Sequence, residues 1–489
     1  MKITWEKLLC NETLIPKEKA PSSWVDYPMD PFEQDYREII SSVSFRGLQD
    51  KAQVYQFGKG DYVRTRLTHS LEVSTTAKQL GIMLLYNSKW NHIPAFSNIS
   101  VDAARSIPTV LACTGLLHDM GNPPFGHEGE YAITSWFRSH LRMDTFSFFG
   151  KPIRELLSRE MLADLNNFEG NAQAIRTLSK CRFHSENQEA NVSFATISAL
   201  IKYPVGSTDM DGSSTDSRIH KYGFFSSERD IVKKIRSETG IDIPGEPNAR
   251  NPLTFLLEAA DDIAYVASDI EDAVSRGTIT IHSLISFIQN EIDAIDPDGD
   301  EMHQLQILTV NGILNNLQMR IDKCNGNGNA ETEAFHKWTD YLRSWLMYVT
   351  AISFVNNWEA IMDGTYRGDL IRDSHHRYTV EILKKEMRTN VYPRLGQIHI
   401  AATTILNDLL DRLINAVIYW DTEQELPYID TQYIAIIPDS LKSAYMQEKG
   451  EDAASNLYLR FRMITDYISG MSDTYAHELY KKLNAIHIS

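Results

Sequence analysis

Residues 110–132 read VLACTGLLHDMGNPPFGHEGEYA, and the fold turns on this stretch. Its first eight residues are apolar or small at helical spacing and run directly into His118 and Asp119. Residues 120–126, Met-Gly-Asn-Pro-Pro-Phe-Gly, cannot continue a helix, because proline has no amide hydrogen to donate and glycine favours a turn. His118 and Asp119 therefore sit at the mouth of a buried helix. They face a rigid loop that returns to His127, Glu128 and Glu130 at the next helix start. Two histidines and three acids fall within thirteen residues, 118–130. Charges at a helix end are costly unless paired or metal-bound, so the pattern suits a metal site better than a core. The bland alternative is an ordinary helix end that happens to carry His-Asp.

Upstream, DYVRTRLTHSLEV puts Arg64, Arg66 and His69 on a helix whose Leu67, Leu71 and Val73 point elsewhere. Far downstream, Asn251 followed by Pro252 is an N-cap with proline at the first helical position, so LTFLLEAADDIAYVASDIEDAV should form one long helix. On it Asp261, Tyr265 and Asp269 follow at i+4 steps. Each step turns only about 40° around the axis, so two carboxylates and a phenol share one stripe. A solvated face with a fortuitous tyrosine would look the same.

Helical periodicity dominates elsewhere, predicting helices over 67–85, 108–118, 131–141, 192–202, 253–274, 281–292, 333–355, 397–418 and 457–483. The expected class is mostly α. Loops are expected at 205–217, 240–251, 296–300 and 325–329; the acidic DMDG and DPDGD fragments read as turns, since neither has EF-hand spacing. The 489 residues, 43% apolar and 23% charged, are too long and too rich in core-forming residues for a disordered chain. Lys plus Arg number 48 against 65 Asp plus Glu, a net charge of −17, so any polyanion site must be a local basic patch. Cys10, Cys113, Cys181 and Cys324 are scattered without a CxxC pair, which reads as reduced thiols. With no signal-peptide core and no membrane-length apolar run, a soluble cytoplasmic protein without membrane contact is expected.

RTRLTHSLEV, LLHDMGNPPFGHEGE, FEGNAQ and LLEAADDIAYVASDIEDA together resemble the HD-domain superfamily of metal-dependent phosphohydrolases. The resemblance is to its deoxynucleoside triphosphate triphosphohydrolase (dGTPase-like) branch. It runs from about residue 50 to 275, with a further match at ITDYISGMSDTYAHELY. It implies an HD-domain helical fold with additional C-terminal helices: a 1–50 segment, a 51–275 core with an insertion near 204–220, and a 276–489 region completing the pocket and oligomer contacts. The activity implied is metal-dependent hydrolysis of deoxynucleoside triphosphates, dGTP first, to deoxynucleoside and inorganic triphosphate. By resemblance, His69, His118, Asp119 and Asp261 hold the metal, with Asp261 preferred to Asp262 because the family pattern spaces Asp, Tyr and Asp by four. The cation is divalent, and the mixed nitrogen and oxygen donors suit Mn, Fe, Co or Zn, with Mg admitted through the acids.

The resemblance also makes His127 and Glu130 the catalytic pair, three apart at a helix start, where the carboxylate can fix the imidazole's tautomer and raise its basicity. A triphosphate carries about four negative charges and needs local cations. Arg66, with Arg64 close by, Lys202 in ALIKYP and Lys221 in KYGFFSSE are expected to supply them, with Asn171 a polar contact near metal and phosphates. Tyr265 is expected to stack on the deoxyribose where a 2′-hydroxyl would stand, while Asp269 and Gln53 bond the 3′-hydroxyl. Arg460 and Arg462 are further candidates for reaching a phosphate or base in this subunit or a neighbour. Homo-oligomers are implied, a hexamer ahead of a tetramer. Two rivals stay open: an HD phosphohydrolase for a monophosphate, cyclic nucleotide or guanosine polyphosphate, and a non-catalytic scaffold binding nucleotide or single-stranded nucleic acid.

Overall fold

The computed structural model describes residues 2–17, 30–54, 64–86, 99–180 and 189–486. Among these the protein is mostly helical, and its one sheet is a two-residue antiparallel pair, Ser147–Phe148 with Lys151–Pro152. The helices that position the cavity are α1 (Arg66–Tyr86), α2 (Val101–Leu117), α3 (His127–His140), α4 (Gly170–Ser179), α5 (Pro252–Ser275), α6 (Arg377–Glu386), α7 (Gly396–Val417) and α8 (Ala453–Gly470).

Helix α1 lies along α2 and α5, and α5 also touches α6. The approach of α1 to α2 depends on Gly115, where a Cβ would stand 2.5 Å from the Ser74 Cα. Backbones that close bury Val73, Leu111 and Leu116 completely, and Ser74 donates to the Ala112 carbonyl at 2.9 Å. His69 and His118 flank this contact on the two helices, so their separation is fixed by packing.

A first apolar cluster gathers Ile3, Val73, Leu116, Ile263 and Leu346; a second gathers Phe137, Leu409 and Phe461 where α3, α7 and α8 meet. The clusters do not follow chain order, because helices from the last hundred residues pack on α3. Asn251 caps α5 as expected, its Oδ1 accepting from Leu253 N at 2.9 Å.

Two expected helices are corrected. The stretch expected to begin at Pro108 begins at Val101, capped by Ser100, and carries Pro108 inside it. Proline costs the helix one internal bond, yet every residue from Ser106 to Leu117 is buried and packing carries the helix through. The stretch 457–483 is two helices, because α8 ends at Gly470 and Ser472 caps the next, Asp473–Leu483. Cys10, Cys113 and Cys324 are free thiols, and Cys181 lies outside the described residues. No helix among the described residues is long and apolar enough to cross a membrane.

Candidate metal centre and its cavity

Helix α2 ends where the sequence said it must, and His118 occupies its C-cap. The His118 Nδ1 lies 2.8 Å from the Gly115 carbonyl, which makes that nitrogen the donor and leaves Nε2 as the atom a metal could take. The donor atoms of His69, His118 and Asp119 lie within 4.8 Å of one another. Asp261 arrives from α5, its Oδ1 3.2 Å from His69 Nε2 and 3.6 Å from His118 Nε2. Donors bound at about 2.1 Å to one cation stand roughly 3–3.5 Å apart, close to these separations.

One buried atom tests the fit. Among the described residues His118 Nε2 takes part in no hydrogen bond, while Asp119 Oδ2 beside it is held in an ion pair by Arg66 Nη1 at 2.8 Å. A buried acceptor without a donor, next to carboxylates, suits the ligand set of a cation. Burial pushes the Asp261 carboxyl up, but His118, His69 and Lys202 outweigh it and hold it well below the usual range. For Asp119, burial is likewise overcome, by Arg66, His118 and His69. Both acids are therefore ionised, as metal ligands must be. Its neighbour Asp262 also lines the cavity and is paired there with Lys384 at 2.7 Å.

A cavity of about 440 Å³ opens over these groups. His127 Nδ1 is 2.7 Å from Glu130 Oε2, and the other oxygen of Glu130 accepts from Gly170 N at 2.7 Å. The hydrogen bond and charge of Glu130 raise the His127 pKa. Burial pushes Glu130 up, yet its bond to His127 holds it down at about 2. The His127 side chain, 80% exposed, reaches into the open cavity.

The cavity wall takes in twelve expected residues: Gln53, Arg66, His69, His118, Asp119, His127, Glu130, Asn171, Lys202, Lys221, Asp261 and Tyr265. Among the described residues, the buried Gln53 Oε1 has no hydrogen-bond partner. Lys202 stands 3.7 Å from Glu258, and Lys221 pairs with Glu169 at 2.8 Å. Asn171 Nδ2 donates to that same Glu169 at 2.6 Å. Asp269 is absent from the wall and 1% exposed; Tyr392, which does line the cavity, approaches it with its hydroxyl at 3.4 Å. Burial pushes the Asp269 carboxyl up to about 8.

Three arginines are elsewhere than expected. Arg64 precedes α1 and is held by Glu72, Glu271 and Asp272 at 2.5–2.9 Å. Arg460 donates to the Ile418 carbonyl, and Arg462 lies 3.4 Å over the Phe225 ring, both buried and off the cavity. Sequence reasoning missed Lys384, Tyr392 and His399, which come from α6, the turn after it and α7, as well as Glu258 and Glu169, whereas Glu128, already read as part of the acidic cluster, does line the cavity. Glu169 lay within FEGNAQ, so position alone could have raised it; the first three had no motif.

Residues 66–207 match the HD domain and residues 373–482 the phosphohydrolase-associated domain. The deoxyguanosinetriphosphate triphosphohydrolase-like protein of Listeria monocytogenes is 36% identical over 489 residues, 99% of each chain. The deoxyguanosinetriphosphate triphosphohydrolase of Yersinia enterocolitica is 30% identical over 93% of this chain and 94% of its own. A probable deoxyguanosinetriphosphate triphosphohydrolase of Pseudomonas aeruginosa is 29% identical over 93% of each.

Proposed function

The chain belongs to the HD-domain phosphohydrolase family, in its deoxyguanosinetriphosphate triphosphohydrolase-like branch, and from that premise we propose that it hydrolyses deoxynucleoside triphosphates, dGTP first, to deoxynucleoside and inorganic triphosphate. The observation that carries the reading is the meeting of His69, His118, Asp119 and Asp261 beside the His127–Glu130 pair in one cavity. Held by those four side chains, a divalent cation would polarise the phosphate and lower the pKa of a bound water.

The protein's own groups do the rest. With Glu130 ionised, the proton they share sits on His127 Nδ1, and the Nε2 face meets the cavity. Its raised pKa suits His127 to act as general acid, giving a proton to the 5′ oxygen as the bond from that oxygen to the α-phosphorus breaks. Water supplies the oxygen that the phosphorus gains, so the products are a free 5′-hydroxyl and triphosphate. Lys202 and Lys221 now neutralise Glu258 and Glu169, and an incoming triphosphate would compete for both ammonium groups. Arg66 serves the same end while orienting Asp119. Tyr265 would lie against the sugar and Gln53, through its Oε1, would accept from the 3′-hydroxyl, while Asp269 would act through Tyr392.

Product analysis with a panel of dNTPs and NTPs in Mn²⁺ or Mg²⁺ tests this. Deoxyguanosine and triphosphate in equal amounts from dGTP are expected. Preference for GTP, or release of pyrophosphate or phosphate, would move the protein to another HD hydrolase class, and binding without turnover would make it a scaffold.

A further inference from the structure

Behind the loop that delivers His127, and away from the cavity wall, lies a buried lysine. Lys51 is 3% exposed, and its Nζ donates to two main-chain carbonyls, Asn122 at 2.7 Å and Ser469 at 2.6 Å. Asp473, 5% exposed, completes the arrangement: one oxygen accepts from Phe125 N at 2.8 Å and the other from Ala52 N at 3.0 Å. The Lys51 carbonyl accepts from Arg66 N at 2.8 Å. Three segments far apart in sequence are thus joined at one point.

We propose that Lys51 and Asp473 form a clamp that sets the conformation of residues 119–127, and are positioning residues for the reaction. The loop needs such a clamp. Phe125 holds φ at +66°, a left-handed conformation that is unfavourable for a non-glycine residue and persists only where neighbours enforce it. Asp473 grips the amide of that residue. Lys51 grips the carbonyl of Asn122, whose side chain donates to Asp119 Oδ1. One end of the loop therefore orients a metal ligand and the other carries His127, two residues beyond Phe125.

A hydrophobic residue could fill the space of Lys51 without the desolvation that burying its amine costs. What it could not do is hold two carbonyls 347 residues apart in the chain, Asn122 and Ser469. Lys51 reaches no substrate position, so its effect passes through the loop.

The test uses the full chain with Lys51→Met and Asp473→Asn, measuring dGTP turnover and amide hydrogen exchange over 119–128. Lys51→Met should lower kcat about tenfold or more with KM within about twofold, the signature of misplaced groups rather than lost binding. Exchange should accelerate across 119–128 while α1 and α5 keep their protection. Asp473→Asn should act in the same direction, and it decides the matter if Lys51→Met fails to fold. Unchanged kcat and loop exchange, or faster exchange throughout the chain, would overturn the proposal. The kinetic arm rests on the proposed hydrolysis: if the wild type does not turn over dGTP that reading falls, while loop exchange still judges the clamp.

Discussion

His127 and Glu130 shift one another in opposite directions, and the sign of each shift sets a pH window. Glu130 is lowered from 4.5 to about 2, so its part of the pair's stabilisation is complete above about 4.5 and is lost as pH falls through about 2. His127 is raised from 6.5, so its part is complete below about 6.5 and is lost as pH climbs through the raised value. If the imidazolium is the acid, kcat falls on the alkaline side at that raised pKa. Glu130→Gln removes the charge, so the alkaline limb should move to lower pH and kcat should drop by about 10²-fold; a pH–rate profile with an unmoved limb would take His127 out of proton transfer. Asp261 and Asp262 make the complementary test. Asp261→Ala should lose bound Mn²⁺ and activity together, whereas Asp262→Ala frees Lys384 and keeps the ion, as metal analysis of the purified variants would report. Periodicity alone did not separate these neighbours, since positions three and four before Tyr265 share a helix face, and it was the family likeness that preferred Asp261. Nor did periodicity tell Arg66 from Arg64. Two residues apart, one faces Asp119 and the other is held by three carboxylates of which two lie on α5.

Helix ends, more than helix interiors, decide whether the site assembles. The loop after α2 turns against the start of α4 at Gly121, where a Cβ would collide with the Gly170 carbonyl and the Ala174 amide. Gly121→Ala should cost about 1–3 kcal/mol by overpacking, read as a lowered denaturant midpoint, and it should also weaken the Glu130 contact to Gly170 N. An unaltered midpoint would mean that α4 slides freely, and that the loop is not wedged as described. The same contrast governs what was legible. The N-cap Asn251 followed by proline fixed the start of α5 to the residue. Pro108 looked like a start and is an interior residue, because burial on all sides of α2 outweighs one missing bond. Apolar periodicity ran through Gly470-Met471-Ser472 without a break, although Ser472 is itself a cap signal for the second helix. Lys384, Tyr392 and His399 could not be foreseen, since their place in the wall depends on how α6 and α7 pack against α5 and α3.

At the scale of the molecule, charge is what argues for the proposed ion. Among the described residues lining the cavity, Asp119, Glu128, Glu130, Glu169, Glu258, Asp261 and Asp262 give seven carboxylates, against four cations, Arg66, Lys202, Lys221 and Lys384. A triphosphate of about four negative charges meets further repulsion from a protein of net charge −17. A divalent cation reverses part of that balance where the phosphates must come, so nucleotide binding should be strongly linked to metal binding. Because the four proposed ligands come from α1, from the end of α2 and from α5, an ion bound there would tie together helices that separate on unfolding, and should stabilise the folded chain. At Mn²⁺ one hundred times its dissociation constant the gain is about 2.7 kcal/mol, a rise of several degrees in the thermal midpoint. In a scanning experiment Mn²⁺ should raise the midpoint, dGTP in a chelator should leave it unmoved, and the two together should raise it furthest. His118→Ala should abolish the response to Mn²⁺ while remaining folded, since the ring it removes lies at a helix end. A midpoint raised equally in that variant would place the ion elsewhere, and one raised by dGTP in chelator would show that the lysines suffice without it.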